Sequence, residues 1–399
     1  MEDPGVVIIG GGLAGQRCAE TLRRRGYEHP IRIVCAESDA PYDRPPLSKD
    51  VLAGATEPEE VAFRPAWWYE EKQVDLLLGC RAKSLDPRQR TVALEGGGEL
   101  RYGELLIATG SAARRLPFLE GFENVHYLRT LADSRRLRDE LVPGARLGII
   151  GAGFIGQEVA ATALRAGVEV TMIEALETPL AGIVGERVGG WFADLHRSEG
   201  VTMRLATMLE GARGNGSVEE LVLAGGERVA FDSVVVGIGS APATQWLQGS
   251  GLETDGVKTD AAGRTRLPDV YAAGDAAASF DPRLGVHARA EHWDAAAWQG
   301  AAVARSMLGD YPGTPPLPSF WSDQYDVRIQ YVGHAGRADG VYIEGDPGER
   351  DFTAVFTQGA VPVAGVAVGR PRSIPRLRDK IERGHFPAAH IEQEEARAA

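Results

Sequence analysis

Near the amino terminus four apolar residues, Val6-Val7-Ile8-Ile9, run without a polar interruption and then stop at glycine. An unbroken, mostly β-branched run of this kind predicts a fully buried strand. Over residues 16–25 the spacing becomes helical, with Cys18 and Leu22 on one face, Arg23, Arg24 and Arg25 at the end and Gly26 as C-cap. A second apolar run, 31–36, predicts a strand ending at Glu37. The pattern recurs at 146–150, with a helix expected over 155–166, Gly167 after it, and a strand over 168–173 that ends at Glu174. Between the two copies a helix over 65–72, a strand over 74–78 and a hairpin of 90–94 with 99–102 across Gly96-Gly97-Gly98 are expected. Leu105-Leu106-Ile107, Val234-Val235-Val236 and Val270-Tyr271-Ala272 read as further buried strands. A proline-rich boundary at 311–318 precedes alternating strands at 327–332, 341–344, 351–356 and 361–368 and a basic helix over 375–383, a small α+β domain. Residues 387–399, polar and Ala-rich, are expected to be frayed.

The turns between these strands and helices carry the chemistry. Gly10, Gly12 and Gly15 fit G-x-G-x-x-G, the turn that leads a strand into a helix beneath a dinucleotide pyrophosphate. Gly10 would allow the tight turn, Gly12 the approach of the phosphates, and Gly15 close packing of helix on strand. The helix start offers free N–H groups and the positive dipole end to the anion. Glu37 stands 22 residues past Gly15, where a carboxylate can accept the ribose hydroxyls. Gly151, Gly153 and Gly156 repeat the turn, with Glu174 standing 18 residues past Gly156. Two complete fingerprints predict two dinucleotides bound at once, and the chemistry that suits them is hydride transfer between a nicotinamide and a flavin. The strand that ends in Gly274-Asp275 would aim a carboxylate at a ribityl chain or pyrophosphate of the first site. The expected fold is therefore α/β: two Rossmann-like dinucleotide-binding domains, the second inserted in the first, plus a small C-terminal α+β domain. Expected boundaries are 1–112 and 242–318 for the first, 113–241 for the second and 319–399 for the last.

Composition narrows the chemistry. Length sets an expectation of two to three domains across 399 residues, each able to bury a core. A net charge of −13 argues against a nucleic-acid partner. No apolar run reaches the length of a membrane span, and Met1-Glu2-Asp3-Pro4-Gly5 has no basic or apolar leader, so a cytoplasmic protein is expected. Cys18, Cys35 and Cys80 form no close pair, which counts against a redox-active disulfide or a clustered metal site. Only five of the 43 basic residues are lysine, a skew that points to a GC-rich genome and makes Lys49 worth attention. Lys49 ends the loop Pro41-Tyr42-Asp43-Arg44-Pro45-Pro46-Leu47-Ser48-Lys49, unusually rich in functional side chains and placed just after a dinucleotide-binding unit.

With these motifs the chain resembles the two-dinucleotide flavoprotein oxidoreductases. Within them it is most similar to the NAD(P)H-dependent ferredoxin reductases of the putidaredoxin-reductase type that serve bacterial oxygenases. The likeness covers the chain to about residue 385. It rests on both fingerprints, the 41–49 loop, Ala108-Thr109-Gly110, Gly274-Asp275, Arg289-Ala290-Glu291-His292-Trp293 and Phe320-Trp321-Ser322-Asp323-Gln324. It implies FAD in the first site, held by Gly10, Gly12, Leu13, Ala14, Gly15, Glu37, Arg44, Lys49, Ala82, Ala108, Thr109, Gly110, Arg129, Gly274, Asp275, Glu291 and His292. Trp293 and Trp321 would lie near the isoalloxazine. It implies NAD at Gly151, Gly153, Phe154, Ile155, Gly156, Glu158, Glu174, Ile238 and Gly239. Lys49 and Glu158 are the implied catalytic pair, Glu158 beside the nicotinamide. A lysine near flavin N5 would stabilise negative charge on reduced flavin, and buried alone it would lose its proton, so a carboxylate partner is a reasonable requirement. Ser240-Ala241-Pro242-Ala243 departs from the Arg-Pro-Asn that relatives often carry, which leaves that turn's contacts open.

The expected activity is transfer of hydride from NADH to FAD and then of single electrons to a [2Fe-2S] ferredoxin feeding a bacterial monooxygenase or dioxygenase. An NADH oxidase, peroxidase, quinone reductase or rubredoxin reductase of the same fold is one alternative. Oxidases and peroxidases of that group use a cysteine just after the first βα unit, where this loop has Ser48. A flavoprotein acting mainly by partner interaction, like the apoptosis-inducing-factor proteins, is another, favoured by long C-terminal insertions that this chain lacks. The ferredoxin is expected to dock on Arg370, Arg372, Arg376, Arg378, Lys380 and Arg383, a stretch of net +4 on a chain of −13, with the reductase a monomer or weak dimer.

Overall fold

The computed structural model describes residues 4–310 and 313–384, so the expectation for 387–399 lies outside the described residues. Contacts group the chain into two compact units, one of 1–44, 57–112 and 240–316 and the other of 45–56, 113–239 and 317–399. In the first unit the fully buried strand Val6–Ile9 pairs in parallel with Ile31–Val34 on one side and Glu104–Ile107 on the other. Val270–Ala272 and Val74–Leu77 extend it to a five-stranded parallel sheet, ordered 270–272, 104–107, 6–9, 31–34, 74–77. Both faces are covered, which is why its central strand Val6–Ile9 is continuously apolar. Val6 and Ile8 pack with Cys18 and Leu22 on one face, Val7 and Ile9 with Tyr102 and Leu247 on the other. On the first face the helix Trp293–Met307 lies close against Leu13–Arg24 at Gly300, where a Cβ would stand 2.2 Å from the Ala14 carbonyl oxygen.

The second unit repeats the parallel design. Arg146–Ile150 pairs with Glu169–Ile173 and Ser233–Val236, in the order 202–204, 169–173, 146–150, 233–236, 125–126. The C-terminal segment forms a five-stranded antiparallel sheet ordered 319–324, 327–333, 361–368, 351–358, 340–346. One face takes Ile374 and Leu377 of the helix Ser373–Arg383 against Val332, Val355 and Ala367. The other buries Phe352, Phe356 and Val366 against Val184, Val188 and Phe192 of the helix Ala181–Ser198. The strand Ser319–Gln324 is absent from the sequence expectation, because Ser322, Asp323 and Gln324 break the apolar alternation. Ser322 and Gln324 are nonetheless buried. Residues 45–56 join this unit through the Ser134 hydroxyl, which donates to the Leu47 carbonyl at 2.8 Å, and that of Thr162, which donates to the Ser48 carbonyl at 2.8 Å. Among the described residues no helix is long and apolar enough to cross a membrane.

Candidate active site

In the first unit the three fingerprint glycines have different reasons to be glycine. Gly10 has φ +119°, and a Cβ there would lie 2.1 Å from the Ala108 carbonyl oxygen. A Cβ on Gly15 would lie 2.2 Å from the Gly10 carbonyl oxygen. Gly12, by contrast, starts the helix without a side-chain cap, and its Cβ would meet nothing within 4 Å. The chain's own atoms therefore require glycine at 10 and 15, while at 12 they leave open space in front of uncapped N–H groups. Facing requirements of that kind fit an anion held by a helix start. Gly11, which the motif leaves free, is also constrained: a Cβ would stand 2.4 Å from the Cys35 sulfur.

Glu37 is organised by its own loop. Its carboxylate accepts the Tyr42 hydroxyl at 2.5 Å and pairs with the Arg44 guanidinium at 2.8 Å. Asp275 accepts the Ser111 hydroxyl at 2.8 Å, and the Gly274 N–H donates to Gln299 at 2.7 Å. The Thr109 hydroxyl is buried with no hydrogen-bond partner among the described residues, an unmet polar group in the turn beside Gly110. Trp293 donates its indole N–H to Asp43 at 2.8 Å, and Glu291 pairs with Arg289 at 2.8 Å and accepts the Ser240 hydroxyl. His292 is the N-cap of the Trp293–Met307 helix. Ala82 is buried in the strand Ala82–Asp86. The turn at Ser240-Ala241-Pro242-Ala243 is held to the first unit by the Ala243 N–H, which donates to the Gly110 carbonyl at 2.9 Å. Burial, and then the Glu37 carboxylate, push the Cys35 thiol up to about 12, and burial raises Cys18 further. Both are reduced core thiols, as is the half-buried Cys80, so none forms a disulfide.

In the second unit Gly151 has φ +94° and would place a Cβ 2.5 Å from the Gly237 carbonyl oxygen, and Gly156 one 2.5 Å from that of Gly151. Gly153 again has only ordinary space around it. Glu174 reaches back to this turn: its carboxylate accepts the Ala152 N–H at 2.7 Å and the Leu176 N–H at 3.0 Å. Ile155, in the first helical turn, is 47% exposed and so has no core role. Phe154 packs edge-on against Phe192 and Phe320. Ile238 is half-buried and Gly239 has φ +98°, its carbonyl accepting the Arg114 N–H.

The same unit brings Lys49 and Glu158 together. The Lys49 ammonium lies 2.7 Å from a carboxylate oxygen of Glu158, which is only 7% exposed. Ser48 donates to the same oxygen at 2.5 Å and Ser322 to the other at 2.7 Å. Ser48 and Ser322 are partners that motif reading missed as such. The signal available was their sequence position beside Lys49 and Trp321. Trp321 itself is half-buried, with the Arg328 guanidinium 5.9 Å from its ring centroid. Arg129 also belongs to the second unit, where its N–H donates to Asp133 at 3.2 Å.

The basic stretch is partly neutralised. Arg370 is bidentate to Asp351 at 2.7 and 3.2 Å, and Arg383 pairs with Asp379 at 2.8 Å. Arg378 donates to the Ser319 hydroxyl. Arg372 and Arg376 are exposed and have no ion pair among the described residues.

Comparison with known proteins gives the same architecture a lineage. Residues 4–300 match the model of the pyridine nucleotide-disulphide oxidoreductase family, and residues 319–397 that of the reductase C-terminal domain. A ferredoxin–NAD(P)+ reductase from a Sphingomonas species is 40% identical over 357 residues, 88% of this chain and 86% of that protein. The ferredoxin–NAD+ reductase component of the anthranilate 1,2-dioxygenase system of Burkholderia cepacia is 39% identical over 389 residues, 96% of this chain and 95% of its own. Among solved structures, a chain of the covalent putidaredoxin reductase–putidaredoxin complex superposes with a TM-score of 0.93 at 32% identity, covering 96% of this chain and 94% of that one.

Proposed function

We propose a function from one premise: the chain belongs to the pyridine nucleotide-disulphide oxidoreductase family and is an FAD-dependent oxidoreductase. Our reading is that it is an NADH-dependent ferredoxin reductase, a cytoplasmic partner of a [2Fe-2S] ferredoxin that feeds an oxygenase. The Burkholderia cepacia relative is named as the ferredoxin–NAD+ reductase component of a dioxygenase system, over nearly the whole of both chains. The observation that carries the reading is the pair of glycine-turn sheets in one chain, each with an acidic residue beyond its second strand and neither accompanied by paired cysteines. FAD, when bound, supplies the conversion of a two-electron hydride into single electrons.

The chain's own residues are assigned as follows. The Gly10–Gly15 turn and the Leu13–Arg24 helix start take the FAD pyrophosphate, with Thr109 and Asp275 as further polar contacts. The Gly151–Gly156 turn takes the nicotinamide dinucleotide. Lys49, paired with Glu158, is assigned to stabilise the negative charge that gathers on reduction, a role worth most where water is excluded. The exposed Arg372 and Arg376, with the half-buried Lys380, belong to a docking surface for an acidic ferredoxin. Specificity for NADH follows from Glu174 and Glu177, since a 2′-phosphate there would face carboxylates, at a cost on the order of several kcal/mol. A kcat/KM at least tenfold higher for NADH than for NADPH is expected, and equal values would remove Glu174 from the reading.

A panel of acceptors presented with NADH tests the assignment: ferredoxins, rubredoxin, quinone, oxygen, peroxide and a disulfide. A ferredoxin favoured by orders of magnitude is the expected result. Preference for oxygen, peroxide or quinone would replace it with an oxidase or quinone reductase of the same fold.

A further inference from the structure

Behind the Lys49–Glu158 pair lies a buried run of polar side chains that the assigned roles do not use. The Tyr325 hydroxyl is 2.6 Å from Nδ1 of His196, whose Nε2 is 3.2 Å from Oε1 of Gln324. The Gln324 amide nitrogen is 3.1 Å from both the Ser322 hydroxyl and Oε1 of Gln157. Ser322, Gln324, Gln157 and His196 are at most 1% exposed.

The direction of every bond is set by the two ends. Glu158, an acceptor, takes the Ser322 proton, so Ser322 can only accept from Gln324. Gln157 gives its own N–H to the Ala152 carbonyl at 2.8 Å, so its Oε1 also requires a donor. Both demands put the Gln324 NH2 toward Ser322 and Gln157, and its oxygen toward His196. His196 must then carry its proton on Nε2 and accept from Tyr325 on Nδ1, which makes the ring neutral. All donors point the same way, from Tyr325 to Glu158, an arrangement in which each bond polarises the next. Burial lowers His196 to about 4, in keeping with a neutral ring.

We infer that Ser322 and Gln324 are positioning residues for the reducing site: the one-way chain Tyr325–His196–Gln324–Ser322 holds the Glu158 carboxylate in place as an acceptor for Lys49. Gln324 is also the junction to the fingerprint turn, through Gln157 and Ala152. The inference rests on the role proposed above for Lys49 and Glu158. Its basis is separate, the run of hydrogen bonds whose donors lead from Tyr325 to Glu158.

Two measurements test it on the FAD-loaded full chain. In the oxidised protein at neutral pH, ¹⁵N shifts of the His196 imidazole, assigned by their loss in His196→Gln, should show the neutral ring with its proton on Nε2. An Nδ1-protonated ring or an imidazolium overturns the direction of the chain. In stopped flow, Ser322→Ala should slow the limiting rate of flavin bleaching by NADH about tenfold, the loss of one hydrogen bond to a charged group. The NADH concentration for half-maximal rate should not change, and Ser322→Thr, which keeps the hydroxyl, should recover most of the rate. A wild-type rate in Ser322→Ala, or equal slowing in Ser322→Thr, overturns the inference. Should Ser322→Ala fail to fold, Gln324→Leu carries the same expectation and the same refutation. Lys49→Ala separates the two levels: slow Lys49→Ala with unimpaired Ser322→Ala sinks this inference alone, whereas wild-type bleaching in Lys49→Ala sinks both.

Discussion

Replacing Glu158 by glutamine keeps the shape of the side chain and removes its charge. The Lys49 ammonium, whose side chain is 18% exposed, would then face a neutral amide at 2.7 Å. Breaking a buried ion pair from one side costs about 3–5 kcal/mol, and one hydrogen bond to a charged group about 1.5–3 kcal/mol. Partial exposure of Lys49 lets water recover part of the loss, so Glu158→Gln should cost about 2–3 kcal/mol. Lys49→Met leaves the carboxylate with two hydroxyl donors, Ser48 and Ser322, and should cost less, about 1–2 kcal/mol. In the double variant both charges are gone, and its cost should fall short of the summed single costs by about 1.5 kcal/mol or more. Two compact units need not unfold together, so a single denaturation midpoint would mix them. Amide exchange at Val159, Ala160 and Ala161, buried in the helix Phe154–Arg165, reads the unit that holds the pair. Single costs that add to within about 0.5 kcal/mol would refute the reasoning, because independent sites behave that way.

The glycine geometry predicts opposite outcomes within one motif: Gly10→Ala should misfold or lose its melting transition, whereas Gly12→Ala should melt normally and retain FAD poorly. Normal FAD retention in Gly12→Ala would mean the open space there serves no ligand. His196 titrates near its ordinary 6.5 when unfolded and only at about 4 when folded, with burial as the cause. The unfolded chain therefore binds more protons between those values, and stability falls as pH drops from about 6.5 to 4, by about 3 kcal/mol in full. His196→Gln should flatten that slope in exchange-derived stabilities, and an unchanged slope would assign it to other groups. Reversing charge at Arg372, Arg376 and Lys380 together should raise the KM for ferredoxin and leave bleaching by NADH intact. The wild-type rate with ferredoxin should fall as salt rises, screening acting over about 8–10 Å. A triple variant that reduces ferredoxin normally at low salt would move the docking surface elsewhere.

What the sequence determined by itself is what depends on neighbours along the chain. Val6–Ile9 is an unbroken apolar β-branched run and 147–150 a buried apolar one, and each is followed by a turn whose glycines at 10, 15, 151 and 156 have no room for a Cβ. Those requirements are local, so spacing alone revealed them, along with the acids at 37 and 174. The antiparallel strands from 327 onward were legible for the same reason, their alternation being a property of one strand at a time. The strand Ser319–Gln324 was not, because its inward polar residues are satisfied by partners more than a hundred residues away in sequence. Only the tertiary structure could show that Glu158 has three donors, that Glu174 closes its own turn, and that Arg370 and Arg383 are already paired. A buried polar group is defined by the acceptor or donor the fold brings to it, and no periodicity in the chain records which one that will be.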